Sequence, residues 1–122
     1  MIRFRYLVND VDEAVEFYTS NFDFRLDQQF TSGIAILERD GVSLIVSGPK
    51  ASAGRPMPDG SRPSAGGWNR ILISVDDIES VVSRLEQNGV QFKNDFIEGP
   101  GGKQILCLDP SENVVELFQP AQ

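Results

Sequence analysis

Histidine is missing from all 122 residues, and that absence excludes a Ser-His-Asp triad, a Cys-His pair and every histidine-containing zinc site. A metal would have to be held by carboxylates, backbone oxygens and water. Cysteine is nearly missing as well. Cys107 is the one thiol, so no internal disulfide can form, and its neighbours Leu106 and Leu108 mark it as a buried structural thiol rather than a nucleophile. No apolar run approaches the roughly 20 residues that span a bilayer, and no signal-peptide pattern opens the chain. A soluble, cytoplasmic protein is the expectation. Positive charge is scarce: 11 Lys and Arg stand against 18 Asp and Glu, a net −7. Nucleic acid and anionic membrane are therefore poor partners on electrostatic grounds.

What is present has ordinary globular proportions, 40% hydrophobic and 24% charged, in a length that suits one compact domain. Residues 2–8 alternate, with Phe4, Tyr6 and Val8 on one side and Arg3, Arg5 and Leu7 on the other, which predicts a strand. Asp10 follows as a helix N-cap, with Glu13 three positions on. Val11, Ala14, Val15 and Tyr18 then trace the stripe of an amphipathic helix. Strands are predicted at 24–30 and 33–39, and Asp40-Gly41 is a hairpin turn into a fourth, Val42 to Val46.

From Gly48 to Gly67 there are five glycines, four prolines and no valine, isoleucine, leucine or aromatic residue. That composition predicts no core element, leaving an inter-module linker or a flap made basic by Lys50, Arg55 and Arg62. Beyond it the opening pattern returns. Residues 70–75 repeat the strand, Asp77 the N-cap, Ile78, Val81, Val82 and Leu85 the stripe, and Asn88-Gly89 ends the helix. Arg3 and Arg70, Val8 and Val75, and Asp10 and Asp77 are each 67 positions apart. Strands at 91–97 and 104–108 and a final strand after Asp109 complete the copy. The chain reads as two strand-helix-strand-strand-strand modules, 1–47 and 68–122, joined by loop 48–67.

The last strand carries the chemical question. Asp109-Pro110-Ser111-Glu112-Asn113 is a turn, and alternation after it places Val114, Glu116 and Phe118 on one face. A carboxylate on an otherwise apolar face needs a cation, a metal, a ligand or water. The apolar sides of both modules suit a covering helix, and the other faces, bearing Arg3 and Arg5 or Arg70 and Leu72, are free to line a shared cavity.

Two tandem modules of this kind, V-x-D-[VI] at each helix start, Phe17-Tyr18 in the first helix and the terminal Asp-Pro-x-x-Asn-x-x-Glu-Leu-Phe resemble the vicinal oxygen chelate superfamily. That is the glyoxalase, bleomycin-resistance and extradiol-dioxygenase group. The resemblance covers the whole chain and implies an α+β fold, two βαβββ modules forming a cupped mixed sheet, commonly in a homodimer. It also implies metal-ligand places on the first and last strands of each module, which here are Arg3, Leu44, Arg70 and Glu116. Glu116 is the one competent ligand among them, and a permanently charged guanidinium repels a divalent cation. No cofactor is therefore expected.

Two readings of Arg3, Arg70 and Glu116 are compatible: an ion cluster filling the metal site, or a cationic surplus from Arg3, Arg5 and Arg70 that receives a ligand's anionic group. Trp68, Leu72 and Phe118 would complete a ligand-binding surface, although for either aromatic ring alone core packing is the stronger expectation. The functional expectation is a metal-independent protein that binds a small anionic or aromatic molecule. The alternatives are an enzyme resembling lactoylglutathione lyase, with Glu116 as proton-transfer group or lone protein ligand to a metal, and a regulatory domain with a vestigial pocket.

Overall fold

The computed structural model describes residues 1–122, which divide into two compact units, Met1–Gly66 and Gly67–Gln122. The first contains β1 (Phe4–Leu7), α1 (Val11–Asn21), β2 (Arg25–Phe30), β3 (Ile34–Arg39) and β4 (Val42–Ser47). Its four-stranded sheet has the order β1-β4-β3-β2, in which β1 and β4 are parallel and the other pairs antiparallel. The Asp10 carboxylate accepts the Glu13 N–H at 3.0 Å and starts α1 as expected.

The buried stripe of α1 is rotated from the predicted one. Ala14, Phe17, Tyr18 and Asn21 are buried, while Val11 and Val15 are half-buried. An aromatic cluster causes the rotation: the Tyr18 ring lies 5.0 Å from Phe17, 5.7 Å from Phe24 and 6.5 Å from Tyr6. Edge-on ring contacts of this kind add to plain area burial. Asn21 is tolerated among them because its side-chain N–H2 donates to the Phe17 carbonyl at 2.9 Å. Phe4, expected in the core, is 50% exposed, because β1 is the edge strand of its sheet.

The Gly/Pro-rich stretch also departs from expectation. Gly48 N–H donates to the Gly33 carbonyl at 2.8 Å, a 3-10 turn covers Ser52–Gly54, and Ala51 is buried in the first unit. A small side chain suffices here because the backbone itself is packed close.

The second unit contains β5 (Ile71–Ser74), α2 (Ile78–Gln87), β6 (Gln91–Phe92), β7 (Ile97–Gly99), β8 (Gly102–Leu108) and β9 (Val114–Pro120). Sheet order is β5-β9-β8-β6, with β7 pairing to β8 and β5 parallel to β9. Asp77 caps α2 through Ser80 N–H, and Gln119 Oε1 accepts Ile78 N–H at 2.8 Å, satisfying another donor of the first turn. The predicted strand 91–97 is broken in two. Asn94 Oδ1 accepts the Leu106 N–H at 2.9 Å, so a side chain takes the place of a ladder carbonyl and the strand is interrupted there. Gly102 has φ +148, and a Cβ at this position would collide with the Gln119 carbonyl, so only glycine fits the close approach of β8 to β9. The architecture is α+β, with two βαβββ-type units and mixed sheets of four and five strands.

Candidate functional site

The site begins at the turn that launches β9. Asp109 Oδ1 accepts the N–H groups of Ser111 and Asn113 at 2.8 and 2.9 Å, and Oδ2 accepts the Asn113 side-chain N–H at 3.0 Å. All three side chains are buried, and Glu112 adopts a left-handed φ of +67 between them. A carboxylate holding three donors fixes where the next strand starts. Nearby Cys107 is an inert thiol: burial, with Asp109 adding to it, pushes its pKa up to about 12.

On β9 the alternating residues divide cleanly. Gln119 bonds the start of α2, so Val115, Leu117 and Gln119 face the helix, whereas Val114, Glu116 and Phe118 face away. Glu116 is 6% exposed. Arg70, one residue ahead of β5, donates to its Oε1 through Nε at 3.0 Å and Nη2 at 2.8 Å. Arg70 Nη1 donates to the Trp68 carbonyl at 3.1 Å. Glu116 Oε2 makes no bond yet is not closed off from solvent. The centre of this face is thus a neutral ion pair with one free carboxylate oxygen.

Register extends the site sideways. Leu72 pairs with Glu116 across β5 and β9, and Leu106 pairs with Glu116 across β8 and β9. Lys93, one residue past β6, donates its N–H to Leu106 O at 2.9 Å and continues the same row. Leu72, Glu116, Leu106 and Lys93 therefore lie across one face, with the half-buried Phe118 beside Glu116 along β9. Lys93 was not foreseen, because its place depends on the β6–β8 pairing. Trp68 is no core residue: it is 66% exposed, with Lys93 Nζ 4.4 Å from its ring centroid.

In the first unit Tyr6 packs on α1, so Arg5 takes the opposite face of β1. Arg3 and Arg5 are both exposed there. Register corrects one equivalence. Phe4 pairs with Leu44 as Ile71 pairs with Val115, and Arg5 pairs with Ile45 as Leu72 pairs with Glu116. The counterpart of Glu116 is therefore Ile45, whereas Leu44 is a buried residue of the helix-facing side.

A divalent metal fits these residues poorly. Oxygen-ligated cations take about six donors, whereas Glu116 offers one carboxylate whose Oε1 already accepts two guanidinium bonds. No group of three or more His, Cys, Asp or Glu side chains is placed to hold an ion.

The family model of the Glyoxalase/Bleomycin resistance protein/Dioxygenase superfamily matches residues 1–117. The chain belongs to this superfamily. Among curated superfamily relatives, lactoylglutathione lyase of Schizosaccharomyces pombe is 25% identical over 94% of this chain and 45% of its own length. The chain spans less than half the length of the curated relatives it matches. Among solved structures, lactoylglutathione lyase from Agrobacterium tumefaciens superposes with a TM-score of 0.77 at 18% identity, covering 98% of this chain and 92% of that one. TnmS3, an antibiotic binding protein from Streptomyces sp. CB03234, superposes with a TM-score of 0.69 at 24% identity, covering 99% and 97%. These likenesses establish the superfamily fold. No helix is long and apolar enough to cross a membrane.

Proposed function

We propose that this protein binds a small aromatic or anionic molecule, without a metal, on the face of β5, β9 and β8 turned away from α2. The observation that carries this reading is the double hydrogen bond from Arg70 to Glu116 Oε1. We take Glu116 as the acidic ligand place that the resemblance implies; its carboxylate is already paired with a guanidinium, which meets its need for a cation. Arg70 has five N–H donors and uses one each at Nε, Nη1 and Nη2. The remaining hydrogens and Glu116 Oε2 are available to a ligand's polar groups, while Leu72, Leu106 and Phe118 supply apolar area. TnmS3, an antibiotic binding protein of the same fold, is in keeping with this reading. We also propose a homodimer, against which sedimentation at the chain mass of 13.5 kDa would count.

A second reading, a lyase or isomerase resembling lactoylglutathione lyase, draws on the relative of that name and on the accessible Oε2 of Glu116, the one carboxylate oxygen placed to move a proton. Thermal-shift screening against small acids, glutathione adducts and aromatic diols separates the two. A binder at about 100 times its Kd should raise Tm by about 8 °C. The shift should persist in EDTA and vanish in Arg70→Ala, measured against that variant's own Tm. Turnover that EDTA abolishes would establish the enzyme instead.

A further inference from the structure

Lys93 belongs to the row that contains Glu116 and meets Trp68, and the binding reading above gives neither residue a role. Trp68 precedes β5, at one edge of the sheet, and Lys93 follows β6, at the other. By register Lys93 shares the face of Leu106 and Glu116, and its ammonium lies 4.4 Å from the centroid of the indole ring. The Trp68 carbonyl meanwhile holds Arg70. The residue that carries the indole is therefore tied through its backbone to the guanidinium that pairs with Glu116.

Charge distinguishes this contact from a second cation–ring contact, made on the helix-facing side of β8. Lys103 lies over Phe96 at 4.6 Å but also pairs with Glu79 and Glu98. Lys93 meets the ring and no carboxylate. In a chain of net charge −7, a cation with no carboxylate partner beside a two-thirds exposed indole sets positive charge next to a stacking surface.

We propose that Trp68 and Lys93 form a subsite for a planar aromatic carboxylate. The ligand's ring stacks on the indole, and the Lys93 ammonium turns from the indole to the carboxylate. This rests on the binding function proposed above and narrows its ligand to aromatic acids. The contact is suited to exchange because both side chains are exposed: the ammonium gives up one weak, solvent-screened partner for an anionic one.

Trp68 is the sole tryptophan, so its indole N–H gives one isolated resonance in 15N-labelled protein. Titration with naphthoate should move that resonance saturably, with affinity about tenfold tighter than for the uncharged naphthamide. Lys93→Gln should bring naphthoate down to the amide's affinity, Lys93→Arg should restore it, and Trp68→Leu, read by calorimetry, should weaken both compounds. Both positions are exposed, so the variants are expected to fold, and their unfolding midpoints check it. A resonance that naphthoate leaves in place, or an affinity indifferent to Lys93→Gln and Trp68→Leu, overturns the subsite. If Arg70→Ala abolishes naphthoate binding while those two variants leave it intact, the subsite fails and the binding face survives. If neither naphthoate nor any compound of the thermal screen binds, both fail.

Discussion

In the first unit the parallel strand pair sets Arg5 beside Ile45; in the second the same register sets Leu72 beside Glu116. On the helix-facing side the units agree, with Leu44 and Val46 in one and Val115 and Leu117 in the other, all buried. A covering helix demands an apolar strand face in both copies, so the repeat keeps it. The opposite face carries no such demand. There one unit has an aliphatic residue and exposed arginines, and the other has an acid, its arginine and an exposed indole. Chemistry in this chain is concentrated where the two copies differ.

The largest test of that contrast compares the turns that launch β4 and β9. Asp109→Ala should destabilise the protein by about 3–5 kcal/mol, because it leaves several buried N–H donors without an acceptor. Asp40→Ala, at an aspartate whose side chain is 84% exposed, should fall within about 1 kcal/mol. Urea unfolding of the two variants decides it, and equal losses would erase the distinction between the turns.

A smaller effect separates the arginines 67 positions apart. Arg70→Ala strands a buried carboxylate, but the Arg70 side chain is 30% exposed and water can reach the gap. The expected loss is about 1–3 kcal/mol. Arg3→Ala, at an exposed residue, should stay within about 0.5 kcal/mol.

The least effect at neutral pH is that of Cys107, a buried thiol of the second unit. The unfolded thiol loses its proton near 9.0, while the folded one holds it to about 12. Folding therefore retains a proton that the unfolded chain releases, so stability is unaffected below pH 9 and declines as pH rises from there toward 12. Cys107→Ala should flatten that alkaline decline in Tm, and a thiol reagent at pH 8 should label Cys107 only on unfolding.

Much of this was legible in the residue order, and the failures share a cause. The caps at Asp10 and Asp77 were readable because capping is local, joining residues three positions apart. The duplication was readable because it is a spacing. Glu116 and Arg70 drew attention because a charge on an apolar alternating face needs a partner. Ile45 was missed in favour of Leu44 because register is set by the partner strand, and an error of one residue turns a side chain to the other face. The break in 91–97 was hidden because Asn94 bonds a residue twelve positions away. Lys93 and Ala51 were overlooked for the same reason: a long-range pairing, not local composition, gives them their places.

The most direct measurement of the central claim is a calorimetric titration of manganese, nickel or zinc into metal-stripped protein. With Arg70 occupying Glu116, no stoichiometric binding is predicted, in the natural chain or in Glu116→Gln. One ion bound per chain, with binding lost in Glu116→Gln, would show that the carboxylate serves a metal and that the account of this face is wrong.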